Sequence, residues 1–121
     1  MKRYVVMVAY APGDWESASP EQRQEYFDAH HAFERYVDEH GVRLASGALC
    51  GADTATTVGP GHGDERVVTD GPFVELAEQI GGYYDVRLPD LDRAIAAARL
   101  LPATYTVEIR PVLVIEGYES A

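Results

Sequence analysis

The stretch Tyr4-Val5-Val6-Met7-Val8-Ala9-Tyr10 decides the fold, because its apolar and largely β-branched side chains run on without the alternation of a strand that has one wet face. It reads as a strand buried on both faces, closed by Pro12-Gly13. Whatever surrounds it must therefore supply two covers. The first follows in the chain. Ser19-Pro20-Glu21-Gln22 is a helix start, with Ser19 as N-cap, Pro20 in the first turn and Gln22 placed to complete a capping box, and Gly41 is the matching stop. Between them Tyr26, Ala29, His30, Phe33, Tyr36 and Val37 recur at helical spacing, while Asp28, His31, Glu34, Arg35 and Asp38 fall on the other side. The helix is amphipathic, with His30 on its apolar stripe.

Further along, Val42 to Leu49 reads as a strand, and Thr54 to Val58 with Arg66 to Thr69 as the arms of a hairpin across Gly59-Pro60-Gly61-His62-Gly63-Asp64. Tyr83 to Leu88 alternates, with Tyr84, Val86 and Leu88 on one face and Tyr83, Asp85 and Arg87 on the other. After Pro89, Asp90 is an N-cap for a second helix whose stripe is Leu91, Ala94, Ile95, Ala98 and Leu101, ending at Pro102. A last strand sets Tyr105, Val107 and Ile109 against Thr106, Glu108 and Arg110. The order strand, helix, strand, hairpin, strand, helix, strand describes an α+β domain: a ferredoxin-like antiparallel sheet with two helices on one face and an extra hairpin.

Two helices cover one face of such a sheet. Each large side chain of the first strand left wet on the other face would forgo about 1.5–3 kcal/mol, so a second copy is the economical cover. The expectation is a homodimer with sheets face to face, an α+β barrel. On that face Tyr83, Asp85, Arg87, Glu108 and Arg110 project; they read as substrate-binding candidates for a polar ligand, the arginines supplying bidentate contacts, or as cross-strand ion pairs.

The chain has 121 residues, which sets a single domain over 1–121 that buries about two-thirds of its unfolded surface. A net charge of −10 argues against nucleic acid and against an anionic membrane surface as partners. Cys50 is the only cysteine, so no internal disulfide forms, and its small, apolar neighbours make it a packing residue. With no long apolar segment and no signal-like start, a cytoplasmic setting is expected.

Asp70-Gly71-Pro72-Phe73 is turn chemistry: a carboxylate able to fold onto nearby amides, a glycine free to take positive φ, a proline fixing the exit, and a ring to anchor the loop on a core. Together with Val68-Thr69, Glu75, Glu78-Gln79, Gly82-Tyr83-Tyr84, Pro89-Asp90-Leu91-Asp92 and Val107-Glu108-Ile109-Arg110-Pro111-Val112, it resembles the DGPF branch of the YCII-related family. The first half agrees more loosely, through Ser19-Pro20-Glu21, Ala29-His30, Gly41, Gly47 and Leu49. The resemblance implies the same fold and the dimeric barrel. It implies less about activity: some members lie beside or are fused to sigma factors, and a few wider relatives are similar to cofactor-free enzymes that eliminate halide from, or isomerise, ring compounds with a His and Asp pair. The chain departs from the family's usual Ser or Thr and Lys before Glu78, carrying Leu76 and Ala77 instead.

His30 and Asp70 are accordingly the catalytic candidates. An imidazole on an apolar stripe is held neutral by burial and suits a general base; the structural alternative is a core histidine satisfied by a backbone carbonyl or a Tyr hydroxyl. Asp70 either caps its turn or orients His30, and Glu75 and Glu78 rank lower as acid-base groups. His30, His31, Glu34 and Asp28 cluster, but two ligands on one turn are not a metal site, and neither a Cys-x-x-Cys pair nor a His-Glu-x-x-His run is present, so no metal is expected. Nor is a cofactor, since no phosphate loop opens a helix. The leading expectation is cofactor-free proton transfer, elimination or isomerisation, on a small cyclic metabolite. The alternative is a non-catalytic ligand-binding or interaction module linked to transcriptional regulation.

Overall fold

The first strand, β1 (Lys2–Tyr10), is interior to a four-stranded antiparallel sheet. The computed structural model describes residues 1–118. After β1 come α1 (Pro20–His40), β2 (Val42–Ala48), β3 (Thr56–Val58), β4 (Val68–Asp70), β5 (Gln79–Leu88), α2 (Leu91–Ala98) and β6 (Thr106–Pro111). The sheet order β2-β5-β1-β6 is that of a ferredoxin-like fold. The extra hairpin is present, but as a separate two-stranded sheet, β3 with β4. Its arms are shorter than expected, because 3₁₀ turns at Ala52–Thr54 and Gly63–Glu65 take up residues beside them.

Strand alternation puts Tyr4, Val6 and Val8 of β1 with Tyr84, Val86 and Leu88 of β5 on the buried face, against Phe33 and Val37 of α1 and Ala94 and Ala97 of α2. Within one chain the burial of β1 is therefore one-sided. Val5 and Met7 on its second face are only half-buried. Register sets Met7 between Tyr83 and Glu108, and Val5 between Asp85 and Arg110. On the same face Arg3 grips Asp85 with two parallel bonds, Nε to Oδ1 at 2.9 Å and Nη2 to Oδ2 at 2.6 Å. That bond holds the Asp85 carboxyl below its ordinary value.

The helix ends follow local chemistry. Gln22 donates its amide to Ser19 Oγ at 3.1 Å and Ser19 donates its own to Gln22 Oε1 at 2.8 Å, a complete capping box. Gly41 stops α1 through crowding rather than a left-handed turn: its φ is −165°, and a Cβ there would run into the carbonyl oxygen of Arg87. Gly41→Ala is accordingly expected to destabilise by about 1–3 kcal/mol, read from the urea midpoint.

Three expectations need correction. The buried stripe of α2 is Ala94, Ala97 and, beyond its end, Leu101, whereas Leu91 and Ile95 are 49% and 36% exposed. Alanines let the helix approach the sheet closely, so the small edge turns inward and the larger side chains are displaced outward. Phe73 does not anchor its loop; it is 89% exposed. The corner itself is pinned two residues earlier, where Gly71, at φ +101°, donates its amide to Ala55 O at 2.7 Å and accepts from Thr57 Oγ1 at 2.7 Å. With the backbone already satisfied, the ring is free to point away. Cys50 is likewise exposed rather than packed, because it follows β2 into the loop before the hairpin.

Candidate functional site

The amphipathic phase of α1 turns His30 toward the sheet, where Tyr84, on the inward phase of β5, and Tyr105, just before β6, meet it. His30 Nδ1 lies 2.8 Å from Tyr84 Oη and Nε2 lies 3.0 Å from Tyr105 Oη. Tyr84 in turn donates to Glu34 Oε2 at 2.8 Å, one turn along α1 from His30. The far side of Glu34 faces Arg43 of β2, whose Nη1 is 3.5 Å from Oε1 and whose guanidinium is held in place by Asp38 at 2.8 and 3.0 Å.

Proton counting orders this chain. A phenol has one proton, and Tyr84 gives it to Glu34, so Tyr84 Oη accepts from His30 and the ring proton sits on Nδ1. The lone pair of the neutral ring is then on Nε2, and Tyr105 donates to it. Burial is the main force keeping His30 neutral, lowering its pKa below the ordinary 6.5, opposed by the Glu34 carboxylate and reinforced by His31. Burial also raises both phenols, Tyr84 with help from its bond to Glu34, and Tyr105 to about 12. Both therefore stay protonated as donors.

The lowered pKa has a consequence for stability. As pH falls through 6.5 the unfolded chain takes up a proton on His30 before the folded one does, so stability is lost on going below 6.5 toward the folded value. Asp85 works in a different window: its contribution is present above 3.8 and lost only below that. Urea midpoints measured from pH 7 to 5 are expected to fall in the wild type, with a shallower slope in His30→Gln.

A cleft of about 340 Å³ opens beside this chain, between α1 and the sheet, lined by His30, Glu34, Tyr84 and Tyr105 together with Tyr10 and Phe27. Its floor includes Gly81 and Gly82. Pairing jumps from Val8 with Gly82 to Ala9 with Ile80, making Gly81 the extra residue of a bulge. A Cβ on Gly81 would fall inside the Tyr10 ring, so the glycine lets Tyr10 lie against the backbone and stack on Tyr105 at 5.0 Å. Tyr105 stacks in turn near Tyr26 at 6.0 Å, and Trp15 packs on Tyr26 and Phe27 at 6.1 and 5.4 Å. An aromatic wall thus runs along one side. A roomier cavity of about 480 Å³ borders the start of α1, but its acidic side chains Asp14 and Glu25 form no hydrogen bonds among the described residues.

Of the residues singled out in the sequence, His30 lines the cleft and Asp70 does not. Asp70 is exposed at the end of β4, in the separate hairpin, and its side chain makes no hydrogen bond among the described residues. Tyr83 borders the cleft although it shares its strand phase with Asp85 and Arg87, and these two with Glu108 and Arg110 lie on the second face of the sheet, away from His30. There Asp85 is taken by Arg3, and Glu108 meets Arg110 at 3.2 Å. Glu75 and Glu78 are exposed in the segment before β5, and His31 sits exposed at the cleft rim. No cluster of three or more His, Cys, Asp or Glu side chains with metal-holding geometry occurs among the described residues. Tyr84 and Tyr105 were not singled out as partners of His30, although their positions carried the signal: Tyr84 falls on the inward phase of β5 and Tyr105, just before β6, shares the inward side of Val107 and Ile109, where a phenolic hydroxyl needs a partner.

Residues 2–116 match the YCII-related domain. The chain belongs to the YCII-related family. An uncharacterized protein of Rhizobium meliloti is similar to it, 42% identical over 52 residues, an alignment covering 40% of this chain and 42% of that protein. The family match spans every element of the YCII-related fold described here, from β1 through β6, and so includes the whole His30 cleft. No helix among the described residues is long and apolar enough to cross a membrane.

Proposed function

We propose that this YCII-related protein, of the DGPF branch on its Asp70-Gly71-Pro72-Phe73 corner, is a cofactor-free enzyme that transfers a proton on a small cyclic metabolite, in an elimination or isomerisation. The carrying observation is the Nε2 lone pair of a neutral His30, held toward the Tyr105 hydroxyl at 3.0 Å beside an open cleft. When a substrate turns the Tyr105 hydroxyl toward its own oxygen, Nε2 is released to take a proton from carbon, and Tyr105 donates to the oxygen on which charge develops. The imidazolium so formed is stabilised through Nδ1, Tyr84 and the Glu34 carboxylate. We assign the orienting role to Glu34 acting through Tyr84 rather than to Asp70, which stands in the hairpin outside the cleft.

The same reading makes the protein a cytoplasmic homodimer with sheets face to face. Half-buried Val5 and Met7, set among Tyr83 and the Arg3–Asp85 pair, support it: an apolar centre with a polar surround is what a partner sheet would cover. Light scattering behind size exclusion at micromolar concentration is expected to give twice the 13.3 kDa chain mass; 13.3 kDa itself would reject the dimer.

One observation favours the non-catalytic module instead: both nitrogens of His30 already have partners, as in a satisfied core histidine. Deuterium wash-in separates the two. In D₂O with a panel of cyclic ketones and lactones, followed by NMR at the carbon next to the carbonyl, the enzyme reading expects protein-dependent exchange that is lost in His30→Gln. Silence across the panel decides for the module, and exchange that survives the substitution removes His30 as the base.

A further inference from the structure

We infer that the His30 cleft takes a single-ring, phenol-like ligand that is uncharged or cationic, and rejects carboxylates. This rests on the cleft being the ligand site proposed above, and not on any turnover there.

The first ground is charge. Among the described residues that line the cleft Glu34 is the carboxylate, and neither a lysine nor an arginine is present. The chain has one lysine, Lys2, exposed at the start of β1. The guanidinium nearest the relay, Arg43, lies behind Glu34 and spends its fork on Asp38, with bonds of 2.8 and 3.0 Å. It is already committed to a carboxylate, and it does not line the cleft. An anion would enter beside Glu34 with no lysine or arginine among the described lining residues to meet it, in a protein of net charge −10. The usual device for a carboxylate, a bidentate arginine, is missing from the lining.

The second ground is the shape and surface of the walls. Tyr10, Phe27, Tyr84 and Tyr105 give the cleft aromatic rings, with Tyr10 and Tyr105 stacked at 5.0 Å. Such rings stack on a planar ligand, and their negative faces attract an ammonium group while offering nothing to an anion. The volume of about 340 Å³ lies at the small end for ligand cavities, enough for one substituted ring. Ser46 adds a hydroxyl from the edge strand β2, and Glu34, in the lining itself, gives a cation its counter-charge.

Three probes share one skeleton and differ in charge: tyramine, tyrosol and 4-hydroxyphenylacetate. Titrations at pH 7, followed by ¹⁵N amide shifts, are expected to show tyramine and tyrosol moving the signals of Gly81, Gly82 and Tyr105, with the acid at least about tenfold weaker. Ser46→Lys, on an exposed strand position that tolerates a long side chain, is expected to narrow or reverse that preference. The inference is overturned if the acid binds as tightly as the amine, if none of the three binds at millimolar concentration, or if the shifted amides lie elsewhere. Tight acid binding at these amides alongside His30-dependent wash-in overturns the ligand class alone. Amine binding in the cleft without wash-in on any compound leaves the ligand class standing and removes the proton-transfer reading.

Discussion

His30→Gln is expected to lower proton exchange on a responsive substrate by about 10²–10⁴-fold while the protein stays folded. Gln offers an NH2 donor group and a carbonyl acceptor, so it can keep part of the bonding to Tyr84 and Tyr105 without being able to take a proton from carbon. Circular dichroism checks the fold, and initial rates of deuterium wash-in give the activity. Tyr84→Phe is the companion variant. It keeps the ring against Phe33, 4.4 Å away between centroids, yet cuts Glu34 off from His30. Tyr84 acts through His30, so its loss should appear in the ¹⁵N spectrum of the imidazole as a mixed tautomer. A ring that remains wholly protonated on Nδ1 in that variant would contradict the proton order derived above.

Phe33→Ala is expected to cost about 3–5 kcal/mol, a large fraction of the roughly 5–15 kcal/mol by which such domains are stable. Phe33 is fully buried and packs between α1 and the sheet, beside Val37, Val86 and Leu88. Truncation leaves a void bordered by strands that cannot collapse into it without breaking their ladder. The urea midpoint should fall steeply with an unchanged slope. A loss under about 1 kcal/mol would mean that the core is not organised around this ring.

Much of the architecture was legible because its signals are local. The capping box at Ser19, the strand of β1 and the alternation of β5 each depend on neighbours within a turn or a strand, and each formed, although within one chain β1 is buried on one face only. The α2 face was misread because two of its five stripe positions are alanines, and alanines at 94 and 97 compete with Leu91 and Ile95 on equal terms until the sheet's distance is known. The site was legible by half. His30 announced itself as a polar group on an apolar stripe, but its partners come from β5 and the residue before β6, more than fifty residues away in the chain. Only the pairing of strands says which tyrosines those are. Asp70 was drawn to the site by motif; its own register, opposite Thr56, carries it into the hairpin instead.

The exposed position of Cys50 makes the chain ready for distance spectroscopy as it stands. A single thiol in the loop after β2, flanked by the cavity that Phe73, Val74 and Ile80 border, accepts one nitroxide per chain without any engineered cysteine. In an assembly of two copies the label pair would report one spacing, by pulsed electron resonance, and a face-to-face arrangement of sheets would return a single sharp distance that disappears on dilution with unlabelled protein.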